Sequence, residues 1–171
     1  MRGRRGQARV ARYASLHPTA IDQKVEVIVE QFRVHVQKAL NGHAKAMVVA
    51  QSREHALRYW QRINAYIEEK QYSDLKALVA FSGELNIDGA EWTEASANGF
   101  VETELPKKFD TDEFQILVVA EKYQTGFDQP KLVAMYVDKN MFGLQAVQTL
   151  SRLNRSHPGK KETFVLDFRN T

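Results

Sequence analysis

The sequence predicts an α/β domain whose mainly parallel sheet is buried between layers of helices. Five short runs, Ala46–Ala50, Ala77–Phe81, Gln115–Ala120, Leu132–Val137 and Thr163–Asp167, are apolar at consecutive positions rather than alternating. That pattern marks strands covered on both faces. Helical periodicity lies before, between and after these runs, which is the α/β layout. A chain of 171 residues with 43% hydrophobic content is long enough for one well-buried domain and short for two.

The elements follow in order. Residues 1–18 read as a basic linker or tail, with Arg2, Arg4, Arg5, Arg9 and Arg12 and no acid. Without those five the chain holds 19 basic and 21 acidic residues, so the pI near 9.1 belongs to the tail. The domain is expected over 19–171. Ile21, Val25, Ile28, Val29, Phe32 and Val36 mark a first helix, with Thr19 as its cap and Gly42 past its end. After the first strand Ser52 caps a second helix, whose inner face is Ala56, Tyr59, Trp60, Ile63 and Ile67. Between the second and third strands, residues 82–106 carry six acids and no base. This acidic surface excursion reads as a long, partly mobile connection with a short helix near 104–109. A helix over 145–154 precedes the last strand.

That helix carries the most informative stretch, Gln148-Thr149-Leu150-Ser151-Arg152-Leu153-Asn154-Arg155. At 100° per residue Gln148, Arg152 and Arg155 fall within about 60° of one another. Ala146, Val147, Leu150 and Leu153 are expected on the far side, against the core. Two arginines one turn apart suit forked contact with phosphate oxygens.

Ligands of open parallel sheets bind beyond the carboxyl ends of strands. Those ends carry Gln51-Ser52-Arg53, Phe81-Ser82-Gly83 and Glu121-Lys122-Tyr123-Gln124-Thr125-Gly126-Phe127-Asp128, and the arginine helix hangs from the fourth. There is no G-x-x-x-x-G-K-[ST] and no G-x-G-x-x-G; the one Gly-Lys, Gly159-Lys160, has Asn154 where the earlier glycine belongs. Arginines that clamp phosphate without a loop to cradle a nucleotide make half of a site. Cysteine is absent and the five histidines lack ligand spacing, so no metal centre is expected. No apolar run approaches the length of a membrane span, and the arginine-rich start lacks the apolar segment of a secretory signal. A cytoplasmic protein without membrane contact is the expectation, and the chain reads as a piece of a longer one.

Strand–Ser-Arg-Glu–helix, Ala-Phe-Ser-Gly, Thr-Gly-Phe-Asp and Gln-x-x-Ser-Arg-x-Asn-Arg occur here in the order found in the second RecA-like domain of superfamily 2 helicases and translocases. The sequence most resembles the motor (R) subunit of type I restriction enzymes over about residues 10–171. "TGFDQP" and "AVQTLSRLNR" look like that family's fifth and sixth helicase motifs. Thr149, Ser151 and Asn154 replace the Arg, Gly and Gly of the commoner sixth motif, and Ala120 the Thr that opens the commoner fifth.

The resemblance implies a RecA-like three-layer α/β/α domain with a mainly parallel sheet, acting as half of an ATP-dependent DNA translocase. Arg152 and Arg155 would reach the γ-phosphate of ATP, with Arg155 as the arginine finger. Gln148, Gly126 and Asp128 would lie near the nucleotide. Ser52, Arg53, Ser82, Gly83 and Thr125 would contact the backbone of double-stranded DNA. ATP and magnesium would be held mainly by the first RecA-like domain of the same subunit, and the modification and specificity subunits would complete the enzyme. The isolated chain is expected to be inactive. A stand-alone nucleic-acid-binding or interaction module is the alternative, using the tail and the acidic excursion. A small flavodoxin-like enzyme is disfavoured by the missing phosphate loop.

Overall fold

A computed structural model describes residues 8–12, 21–124 and 126–169. Six strands form one sheet in the order β1-β8-β7-β2-β6-β3, every neighbouring pair parallel. They are β1 (Ala8–Arg12), β2 (Lys45–Ala50), β3 (Ala77–Ala80), β6 (Ile116–Val119), β7 (Leu132–Asp138) and β8 (Thr163–Asp167). A two-stranded antiparallel hairpin, β4 (Leu85–Ile87) and β5 (Ala90–Trp92), stands apart. All five runs read as strands are strands. Inside the segment read as a basic tail, residues 8–12 add β1 at the sheet edge against β8. Its sequence, Ala-Arg-Val-Ala-Arg, is too short and charged to declare itself.

Successive residues of each central strand point to opposite faces. On one face Ala46, Val48, Val79, Val118 and Tyr136 pack under helices α1 (Ile21–Gln31) and α2 (Arg53–Lys70). On the other, Met47, Val49, Leu117, Val119, Met135 and Val137 meet Leu105 and Phe109 of α4 (Leu105–Phe109), together with Phe114, Phe127 and Leu153. A parallel sheet with both faces covered by helices is the three-layer α/β/α arrangement. The expected first helix runs on from α1 as a π-helical turn, Phe32–Val36, and a 3₁₀ turn at Ala39–Gly42. The expected cap residue Thr19 lies outside the described residues.

Two expectations need amending. The acidic excursion holds more regular structure than expected: the hairpin and helix α3 (Glu94–Asn98) precede α4, which is the expected short helix. Thr93 and Ser96 close a capping box at the start of α3. Side chains then satisfy the free edge of β3. Asn98 accepts from Val79 N and donates to Val79 O, Asn64 does the same for Ala77, and Glu94 Oε1 accepts from Phe81 N. An edge strand covered in this way cannot recruit another strand.

The second correction concerns α5 (Gly143–Leu150). Val147, expected on the core side, is 66% exposed, while Thr149 is fully buried. Two residues are 200° apart on a helix, so burying Thr149 sends Val147 to the opposite side. Thr149 takes the inner position because its hydroxyl has a buried donor there, the side-chain amide of Gln124 at 2.9 Å.

Candidate functional site

The register of the sheet brings the strand ends level. Ala80 pairs with Val119, Val119 with Val49, Val49 with Val137 and Val137 with Asp167. The chain leaves every one of these strands at the same edge, so the loops after β2, β3, β6 and β7 form one rim.

At the β2 end Ser52 caps α2 as the sequence predicts: its hydroxyl accepts from His55 N at 3.1 Å and lies 2.6 Å from His55 Nδ1. Arg53, in the first turn, reaches the next loop and donates to Ser82 O at 2.7 Å and Glu84 O at 3.3 Å. Gly83 has φ +74°, and a Cβ there would stand 3.1 Å from Arg53 Nη1. The left-handed backbone conformation favours glycine here, and a Cβ would press on the movable end of Arg53. Ser82 and Gly83 are exposed on the rim beside Arg53. Thr125 lies outside the described residues.

A buried carboxylate joins two of these loops. Glu94 is 1% exposed, and its Oε1 takes both Phe81 N at 3.1 Å and Lys122 Nζ at 2.9 Å. Burial raises the Glu94 carboxyl above its ordinary value, against the bonds from Lys122 and the Phe81 amide. Burial also opposes the charge of Lys122, but Glu94 and the nearby Glu102 raise its pKa overall. Sequence reasoning missed Glu94 because it sits among six acids that look alike in sequence.

The arginines lie at the far part of the rim. The α-helix ends at Leu150, a 3₁₀ turn covers Ser151–Asn154, and Arg155 is extended at φ −68°, ψ 133°. The single helical face expected for Gln148, Arg152 and Arg155 therefore breaks before its last member. Gln148 stays exposed on α5, and its carbonyl accepts from Arg152 Nε at 3.3 Å. Arg152 also points Nη1 at Phe127 O, 3.5 Å away. Arg155 pairs with Asp128 at 2.6 Å, with the two side chains 56% and 59% exposed. Gly126, at φ +78° in open space, is exposed just before them. Five residues predicted from two separate motifs, Gly126, Asp128, Gln148, Arg152 and Arg155, are thus brought to one place.

Lys160 anchors the backbone beneath Arg155, donating to Arg155 O at 2.8 Å and Pro130 O at 3.1 Å. Burial, then the nearby Arg155, lowers its pKa to about 8. Among the described residues the Arg155 side chain, by contrast, is held by one exposed ion pair, worth about 0–1 kcal/mol. A phosphate could take it from Asp128 at small cost. Two accessible guanidiniums suit a polyphosphate; among the described residues no group of three or more His, Asp or Glu is set to hold a metal ion.

Comparison with known proteins bears on the fold and on sequence similarity. The chain has the fold of solved helicase domains. It superposes on the structure of Mss116p DEAD-box helicase domain 2 bound to an RNA duplex with a TM-score of 0.56 and 21% identity, covering 95% of this chain and 53% of that one. The fold class is therefore the RecA-like α/β fold that these helicase domains share.

Within that class, residues 92–170 match the family model of type I restriction enzyme subunit R domain 3. A candidate type I restriction enzyme MjaVIIP endonuclease subunit of Methanocaldococcus jannaschii is 29% identical over 165 residues, 89% of this chain and 15% of that protein. A candidate MjaIXP endonuclease subunit of the same organism is 29% identical over 143 residues, 82% and 13% of the respective lengths. A fragment of a candidate HsdR subunit of a type I restriction enzyme from Vibrio vulnificus YJ016 superposes with a TM-score of 0.60 at 14% identity, covering 96% of this chain and 32% of that one. The chain is thus similar in sequence to these type I restriction enzyme subunits, and it shares its fold with solved helicase domains. It spans about one seventh of the length of these curated relatives.

Proposed function

We propose that this domain is the second half of an ATP-dependent DNA translocase motor in a type I restriction enzyme R subunit. The observation that carries the reading is the meeting of Arg152, Arg155 and Asp128 on the same sheet edge as the Ser52, Arg53, Ser82 and Gly83 loops. One end of the rim presents accessible guanidiniums; the other presents a helix start, a hydroxyl and a glycine-bearing loop that backbone phosphates can approach.

In this reading ATP lies between this domain and the first RecA-like domain of the same subunit, which also holds the magnesium ion. Arg155 leaves Asp128 for the γ-phosphate and Arg152 supports it, each gaining charge-assisted hydrogen bonds stronger than the exposed pair they replace. Gln148 and Gly126 lie beside the nucleotide. The guanidiniums stabilise negative charge as the phosphoryl group is transferred. At the other end Ser52, Arg53, Ser82, Gly83 and Thr125 hold the duplex through its backbone, without reading bases. Alternate closure on ATP and release after hydrolysis move the duplex. The modification and specificity subunits act with this motor, and the chain alone hydrolyses no ATP because the phosphate loop belongs to the partner domain.

Mapping the duplex contact tests the DNA half of the reading. Hydrogen exchange of the intact subunit with and without a duplex of arbitrary sequence should show protection in residues 51–55, 81–84 and 121–127. Protection confined to the hairpin at 85–92, with the rim unchanged, would instead favour a simple interaction module.

A further inference from the structure

The loop after β6 and the last turn of α5 are joined inside the protein by one amide. Gln124 is 3% exposed, and its Oε1 accepts from Lys139 Nζ at 2.8 Å. Its Nε2 donates to Thr149 Oγ1 at 2.9 Å and lies 3.4 Å from the sulfur of Met141. Lys139 is 7% exposed and Thr149 fully buried. Three strand-end segments therefore converge on a single side chain: the loop that leads into Thr125, the residue that follows β7, and the helix that carries the arginines.

The placement gives this tie its consequence. Gln124 directly precedes Thr125-Gly126-Phe127-Asp128, and Thr149 lies one residue after Gln148 and three before Arg152. Buried polar groups that lose their partners pay the full desolvation cost, so such networks move as units rather than come apart. A displacement of the loop that carries Gln124 with it is passed to Thr149 while the amide bond holds. It shifts the last turn of α5, and with it the start of the chain that carries Arg152 and Arg155.

We infer that Gln124 and Thr149 are positioning residues that transmit duplex engagement at the β6 loop to the arginines at the end of α5. The inference rests on the motor reading and adds the coupling element to it. Neither residue touches nucleotide or DNA in this scheme, so their loss should change coupling and leave both binding surfaces in place.

The test is Thr149→Val in the intact R subunit, which removes the acceptor at nearly constant shape. DNA stimulation of ATP hydrolysis should fall at least tenfold, while DNA-free hydrolysis and duplex affinity stay within twofold. Thr149→Ser, which restores the hydroxyl, should recover stimulation. Thr149→Ala, which removes the acceptor without inserting an apolar branch, should reproduce the loss if Thr149→Val folds poorly. A merely structural role would instead lower thermal stability and both activities together, with no selective loss of stimulation. Wild-type stimulation in folded Thr149→Val or Thr149→Ala overturns the inference and leaves the motor reading standing. A wild-type subunit whose ATP hydrolysis ignores duplex overturns the motor reading, and this inference with it.

Discussion

Replacing Asp138 with alanine should cost the domain a large part of its stability. Asp138 ends β7 at 3% exposure, and its carboxylate gathers three donors. Lys24 Nζ lies 3.1 and 3.3 Å from its two oxygens, Tyr59 OH donates at 2.5 Å, and Arg169 Nε at 2.9 Å. Lys24 comes from α1, Tyr59 from α2 and Arg169 from the segment after β8, so one carboxylate ties two helices to the sheet. Removing one member of a buried ion pair costs about 3–5 kcal/mol, because the remaining charge loses its compensation. Against a typical domain stability of about 5–15 kcal/mol this is roughly a fifth or more. At roughly 2–4 °C per kcal/mol for a domain of this size, Tm should fall by about 6–20 °C.

Urea unfolding of the 171-residue chain, followed by circular dichroism at pH 7, measures the difference. Burial opposes the charge of Asp138, but the bonds from Tyr59 and Arg169 and the charge of Lys24 hold its pKa below the ordinary carboxylate value. For a depressed carboxylate the stabilisation is full above the unfolded value near 3.9 and is lost as pH falls through the folded value. The gap between wild type and Asp138→Ala should accordingly narrow below about pH 4. A loss under about 1 kcal/mol at pH 7, the range of an exposed pair, would refute the reasoning.

Two more outcomes follow from buried charges. Lys45 is 2% exposed, donates to the carbonyls of Thr111 and Phe114, and has its pKa lowered to about 8, first by burial and then by Lys131. Between that value and the unfolded value near 10.5 the unfolded chain binds more protons, so stability rises with pH. Wild type should gain about 3 kcal/mol on Lys45→Met between pH 7 and 10.5 in urea titrations; no relative gain would contradict it. Glu94→Ala leaves the Phe81 amide without its acceptor and should cost about 1–3 kcal/mol, whereas Glu94→Gln keeps an acceptor and should cost under about 1 kcal/mol. Equal losses in thermal unfolding would show that the amide is not what Glu94 serves.

The strands were legible because burial on both faces leaves an unmistakable apolar run. β2, β3, β6, β7 and β8 all fall where those runs lie. Ser52 as a cap was equally readable, since a cap is a local matter of one hydroxyl and an amide three residues on. The inner face of α5 was not. Periodicity assigns apolar residues inward, and only the distant Gln124 makes Thr149 the better buried residue. The ordered excursion escaped for a related reason. Its stability depends on Glu94 and Asn98 reaching the edge of β3, contacts that a run of acids and small residues does not announce. Arg152 and Arg155 were found as a pair, but their partners on the β6 loop, Phe127 O and Asp128, belong to the tertiary fold.

The most direct measurement of the central claim is kcat for DNA-stimulated ATP hydrolysis by the intact R subunit carrying Arg155→Ala. Arginine fingers contribute about 10³–10⁵ in turnover, and the ion pair that Arg155 leaves is worth about 0–1 kcal/mol. The account therefore predicts a fall of about a thousandfold or more, with Tm within about 2 °C and duplex affinity unchanged. A kcat within a factor of about two of wild type would contradict it.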